Sequence, residues 1–140
     1  MDIVVRKAEV SDADKLFKLV SDFATSFKTD HAAFEECLKN LFSDESVFLF
    51  VAENKKELIG YCLGFDHYAF YANGRVSWVE EIMVNENFRC NGIGRKLMEA
   101  FEEWAKSRNS KLVALGTRRA ASFYKALGYE ESAIYFRKLL

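Results

Sequence analysis

The chain has no proline among its 140 residues, only two histidines and only three cysteines. Nothing marks a domain boundary either, since there is no low-complexity linker and no internal repeat. A chain of this length is expected to form one domain, residues 1–140, with a core of its own. Cys37, Cys62 and Cys90 are odd in number, scattered, and without metal-ligand spacing. They argue against a disulfide framework and for reduced thiols, which suits a cytoplasmic protein. His31 and His67 are far apart in sequence, so no metal is expected. The net charge is −1, with both signs interspersed. A nucleic-acid partner usually demands a basic stripe, so none is expected. No apolar run reaches the length of a membrane span, and the N-terminus has no signal-peptide pattern, so no membrane partner is expected.

What is present is apolar and periodic. Half of the residues are hydrophobic, which argues against disorder. Ile3, Val4 and Val5 suggest a first strand. Ser11 offers an N-cap, with Asp14 three residues on, to a helix whose apolar face carries Ala13, Leu16, Phe17, Val20, Phe23, Ala24 and Phe27. Thr29 or Asp30 caps a second helix. Residues 46–53 and 58–65 read as a hairpin across a polar turn, and Asn73-Gly74 is a strong turn signal before a strand over residues 75–84. A long amphipathic helix over about residues 92–106, a strand over 111–115, a short helix over 120–127 closed by Gly128, and a terminal strand around residues 134–139 complete the reading. The strand, helix and strand in this order imply one parallel, right-handed crossover, so the sheet is mixed.

The stretch over residues 79–95 carries the chemistry. Val79, Ile82, Met83 and Val84 make a strand, and Asn85, Glu86 and Asn87 end it. Arg89-Cys90-Asn91-Gly92-Ile93-Gly94 then fits R-x-x-G-x-G at a helix entry, followed by Arg95. Glycine lets backbone approach a ligand, and the free N–H groups of a first helical turn suit a phosphate. The spacing matches neither a dinucleotide fingerprint nor a Walker loop. Glu80 and Glu81 lie inside the apolar strand. Strand neighbours point to opposite faces, so at most one is expected to face a given cleft. A bulge between residues 79 and 82 would explain the broken alternation of apolar residues.

With the later segment Ser122-Phe123-Tyr124-Lys125-Ala126-Leu127-Gly128-Tyr129, these motifs resemble the GNAT superfamily of N-acetyltransferases, and the resemblance extends over nearly the whole chain. It implies a mixed, mostly antiparallel α/β sheet, splayed between the strands over residues 76–84 and 111–115 and flanked by about four helices. It implies acetyl-CoA as cosubstrate. The backbone of Ile82, Met83 and Val84 would hold the pantetheine arm, and that of Arg89, Cys90, Asn91, Gly92, Ile93, Gly94 and Arg95 the pyrophosphate. Trp78-Val79-Glu80-Glu81 is similar to the corresponding strand of polyamine and diamine N-acetyltransferases, whose catalytic base falls on Glu80 here, with Glu81 as the alternate. Tyr124 matches the tyrosine that protonates the leaving thiolate. Thr117 stands where many members carry an asparagine at the coenzyme. In that family the first two helices wall the acceptor site, which Phe23, Phe27 and His31 could touch, a core or surface role being the expected alternative for each; homodimers are common, and residues 133–140 are the candidate contact. No motif suggests a covalent acyl-enzyme. Three readings follow: transfer to a small amine; transfer to a protein lysine, an N-terminus or an aminoglycoside; and a non-catalytic acyl-CoA-binding module. A mere binder needs neither Glu80 nor Tyr124.

Overall fold

The computed structural model describes residues 1–23 and 28–140, leaving aside the Phe23 side chain. Five strands, β1 (Ile3–Lys7), β2 (Val47–Asn54), β3 (Glu57–Ala69), β4 (Gly74–Val84) and β5 (Ser110–Leu115), form one sheet in that spatial order. Every neighbouring pair is antiparallel except β4–β5, which is parallel because α3 (Ile93–Ser107) carries the chain back between them. Helices α1 (Ala13–Phe23) and α2 (His31–Phe42) follow β1, and α4 (Ala121–Ala126) follows β5. The expected mixed sheet with flanking helices is therefore what the chain adopts.

Side-chain alternation along the strands divides the interior into two layers. On one face Phe48, Ala52, Ile59, Cys62 and Val79 pack against Ile93, Leu97, Met98 and Phe101 of α3, with Tyr124 of α4. On the other, Leu49, Val51, Leu58, Tyr61 and Met83 pack against Leu16, Leu19 and Leu38 of α1 and α2. The turn at Asn73 forms as the sequence suggests, with Asn73 in the left-handed region at φ 57°. Asp66, buried in β3, accepts from Arg108 at the end of α3 and so ties that helix to the sheet.

Two expectations need correction, and one choice between alternatives is decided. The first helical turn is not capped by Ser11. A short 3-10 turn over Val10–Asp12 precedes α1, and the Asp12 carboxylate takes the Glu9 N–H at 2.7 Å while a two-pronged bond from Arg6 holds it. The Arg6 guanidinium, followed by the Glu9 N–H, holds the Asp12 carboxyl below its usual range against the cost of burial. Of the two candidate caps of α2, Asp30 is the one that accepts from Ala33 N–H. Finally, residues 129–140 form no strand. Ile134, Tyr135 and Phe136 have high strand propensity, but that propensity expresses a fit to a half-buried pleated surface. The segment stays exposed and has no ladder partner among the described residues.

Gly64 fits closely between β4 and α3: a Cβ there would lie 2.7 Å from the Trp78 carbonyl oxygen and 2.8 Å from Phe101 Cζ. Gly64→Ala is expected to cost about 1–3 kcal/mol by overpacking. Urea unfolding should show a lower midpoint at an unchanged slope; an unchanged midpoint would mean that the helix face yields freely.

Candidate active site

The site starts from an irregularity in register. Opposite β3, Leu63 pairs with Glu81 and Gly64 pairs with Val79, so Glu80 is an extra residue in β4. This is the bulge anticipated from the sequence. Its consequence is that both carboxylates turn to the α1–α2 face, while Val79 and Ile82 on either side pack toward α3. The bulge overrides the opposite-face rule for these neighbours, yet only Glu80 lines the cleft, so at most one of the two acids faces it, as expected. Glu81 accepts from the buried Tyr61 hydroxyl at 2.7 Å. Burial, followed by the Glu81 charge, raises the pKa of that phenol, so it stays protonated and stays a donor. Glu80 is exposed, accepts from the Trp78 indole N–H at 2.9 Å, and lines a cleft of about 210 Å³ with Leu41, Asp44, Ser46, Val47, Leu63, Gly64 and Phe65.

The sheet opens at the same level. Parallel pairing of β4 with β5 runs to Val79 and Leu115 and stops there. From Glu80 to Val84 that edge of β4 has no strand partner among the described residues, so its alternate backbone N–H and C=O groups face a gap. Of Ile82, Met83 and Val84, only backbone is on offer at this edge, because their side chains pack into the two core layers. The Val84 carbonyl accepts from Arg89 Nε at 3.1 Å, which folds the following loop back over the strand end.

That loop leads into α3 through Gly92, whose φ of 77° is in the left-handed region, and α3 has no side-chain cap. Its first N–H groups are therefore left for a ligand. A Cβ at Gly92 would meet nothing within 4 Å, so the space above the loop is open; one at Gly94 would press on Phe123 Cζ at 3.1 Å. Cys90 adopts φ 65°, a costly conformation for a non-glycine residue, and its side chain is exposed. Asn91 donates to the carbonyls of Phe88 and Arg89 and so fixes the loop. Arg95 is exposed, whereas the Ile93 side chain is in the core. An open, uncapped helix start beside an unpaired strand edge fits a long molecule with a phosphate-bearing end and an amide-bearing arm.

Tyr124 is buried in the core layer on the other face of the sheet, the layer that also holds Val79 and Cys62. Burial pushes its pKa up to about 12, so the phenol keeps its proton across the neutral range. Thr117 Oγ1 accepts from Ala120 N–H at 3.1 Å, so that hydroxyl fixes the turn before α4. Cys62 is fully buried and its thiol is pushed up to about 12, which leaves it inert as a nucleophile. His31 starts α2 and lies 3.5 Å from Glu35 and edge-on to Phe17; the Phe27 residue and the Phe23 side chain lie outside what is described.

Some partners escaped the sequence reading. Trp78 precedes Glu80 by two strand positions, so period two could have exposed that contact. The pairing of Tyr61 with Glu81 spans 20 residues and has no local signal. Tyr135, stacked on Trp78 at 6.4 Å between ring centroids, is also invisible locally. Among the described residues no group of three or more His, Cys, Asp or Glu side chains could hold a metal ion, and no helix is long and apolar enough to cross a membrane.

Comparison with known proteins gives this geometry a context. The model of the acetyltransferase (GNAT) family matches residues 13–129. An uncharacterized N-acetyltransferase, YhfO of Bacillus subtilis, is 26% identical over 133 residues, covering 91% of this chain and 89% of the relative. The aminoalkylphosphonate N-acetyltransferase of Salmonella typhimurium is 27% identical over 141 residues, covering 97% and 90% respectively. Among solved structures, glucosamine-6-phosphate N-acetyltransferase from Arabidopsis thaliana superposes with a TM-score of 0.88 over 99% of both chains, at 21% identity.

The thiols report on this geometry directly. Cys37 and Cys90 are exposed and Cys62 is buried. A chromogenic disulfide reagent should titrate Cys37 and Cys90 in the folded protein and Cys62 only after denaturation. Rapid modification of Cys62 in the native state would contradict the packing between β3, β4 and α4.

Proposed function

Since the chain belongs to the acetyltransferase (GNAT) family, we propose that it moves the acetyl group of acetyl-CoA to the primary amine of a small, cationic acceptor, with di- and polyamines as the leading candidates. The observation that carries this reading is the lining of the cleft at Glu80. Asp44 and Glu80 contribute carboxylates, and among the described residues no lysine or arginine lines the cleft with them. Such a lining attracts an ammonium ion and repels a phosphate or phosphonate. The relatives named for aminoalkylphosphonate and for glucosamine-6-phosphate act on anionic acceptors, so this chain is proposed to differ from them. A cleft of about 210 Å³ is also smaller than the ~300–1,000 Å³ of sites for drug-sized ligands, which favours a small acceptor over a folded protein or an aminoglycoside.

The roles proposed for the chain's groups follow from their protonation and position. Acetyl-CoA supplies an activated thioester that an amine attacks directly. An amine acceptor arrives as a cation and must lose a proton first, and Glu80 takes it, directly or through a water. Glu81 is the weaker candidate because it does not line the cleft. Backbone N–H groups of residues 82–84 on the open edge of β4 polarise the thioester oxygen. The Tyr124 hydroxyl, protonated through the neutral range, donates to the departing sulfur. The amides at Gly92, Ile93, Gly94 and Arg95 receive the pyrophosphate. We further propose a homodimer in which a second copy covers residues 133–140. Ile134, Phe136 and Leu140 are exposed there, and β5 is an edge strand whose outer side has no partner among the described residues. Light scattering at high micromolar concentration should then give twice the chain mass; monomer alone would refute the dimer.

An acceptor screen reading free-thiol release should give diamines and polyamines the highest kcat/KM, with amino sugar phosphates and aminoalkylphosphonates at least tenfold lower. Preference for a phosphorylated acceptor would overturn the acceptor assignment. Glu80→Gln should lower turnover by roughly 10²–10⁴-fold where the amine is protonated and recover in part at higher pH. Tyr124→Phe should lower turnover at unchanged acetyl-CoA affinity, by a factor that stays constant between pH 6 and 9 because a phenol near pKa 12 does not titrate there. Calorimetry should show CoA affinity lost in Gly92→Asp and Gly94→Asp, and CoA should shield Cys90, but not Cys37, from the thiol reagent. Wild-type affinity in both glycine variants would remove the loop from the coenzyme site.

A further inference from the structure

Glu80 is on the bulge, exposed, and on a side chain with three free torsions, a poor arrangement for a group that must meet a proton at one place. Its carboxylate is nevertheless held. Trp78 Nε1 donates to Glu80 Oε2 at 2.9 Å. An indole N–H is a donor only, so it engages Oε2 and leaves Oε1 outside that bond. Trp78 is itself held from outside the sheet: its ring and that of Tyr135 are stacked, with centroids 6.4 Å apart and planes at 27°. Tyr135 belongs to the carboxy-terminal segment, which forms no strand. It rests over Gly116, the first residue beyond β5, where a Cβ would touch the Tyr135 ring at 3.7 Å. The segment is fastened at its beginning by the Tyr129 hydroxyl, which donates to Glu102 of α3 at 2.6 Å. From Tyr129 the tail thus passes over the open end of β5 and ends its grip on the tryptophan that bonds the acid.

We propose that Trp78 and Tyr135 are positioning residues for Glu80, and that the carboxy-terminal segment thereby sets the geometry of proton removal. The inference rests on Glu80 being the base. Trp78→Phe retains a ring to stack on Tyr135 but deletes the N–H; Tyr135→Ala deletes the stacking.

The test is a pair of double-mutant cycles with Glu80→Gln, read as kcat and as KM for acetyl-CoA, with thermal melts as a check on folding. Each single variant, Trp78→Phe and Tyr135→Ala, should lower kcat by roughly tenfold to a hundredfold, the scale of a misplaced catalytic group, with KM for acetyl-CoA unchanged. Tyr135→Phe should restore wild-type kcat. In the Glu80→Gln background neither change should lower kcat by more than about twofold, because the group they position is no longer a base. Equal factors in both backgrounds, or full activity in both single variants, would overturn the proposal while leaving Glu80 as the base. Full activity in Glu80→Gln alone would instead overturn the base assignment, a distinct outcome.

Discussion

The parallel ladder between β4 and β5 cannot continue past Val79 and Leu115, and the geometry of the site depends on that limit. The next residue in β4 is the bulged Glu80. A regular sheet would separate Glu80 from Tyr124 completely, because Glu80 is on the α1–α2 face and Tyr124 is packed against the α3 face. Where the ladder stops, the sheet opens, and in the proposed mechanism groups on both faces act there on one acyl carbon. The proposed roles then let a proton be taken on one side and given on the other without either residue crossing the core. The same interruption frees the backbone of residues 80–84, and helix α3 starts uncapped just beyond it.

Packing keeps the opening from closing. Gly64 lets Phe101 and the Trp78 backbone approach each other closely at the level of the bulge. Arg108, bonded to the buried Asp66, fixes the far end of α3 to β3. Ser77 and Ser110, 2.6 Å apart between hydroxyl oxygens, join β4 to β5 before they diverge. The core layers on both faces thus immobilise the paired part of the two strands, and the unpaired part is left as a rigid edge. A preorganised edge of dipoles is what an acyl-transfer site needs, since nothing must reorganise during reaction.

Much of this was legible in the sequence because it is local. The broken apolar alternation between Val79 and Ile82 revealed the bulge, Asn73-Gly74 gave the turn, and the stripe from Ile93 to Ala105 gave α3 and its buried face. Strict alternation does not hold for Glu80 and Glu81 because the bulge breaks it, though only Glu80 lines the cleft, as expected. The terminal strand was misjudged because Ile134, Tyr135 and Phe136 have strand propensity but no partner to pair with. What was illegible is long-range: Tyr61 with Glu81, Trp78 with Tyr135, and Asp66 with Arg108 have no signature in a local window, since only the folded sheet brings them together.

The coenzyme is proposed to enter where β4 leaves β5 and to meet the start of α3. Backbone amide resonances followed by NMR during titration with CoA test it most directly. If the coenzyme enters there, the largest shifts fall at Ile82 to Val84 and at Asn91 to Lys96, with little change at the outer strand β1. Shifts concentrated instead in the groove between α1 and α2, with the β4 edge and the α3 start unmoved, would contradict it.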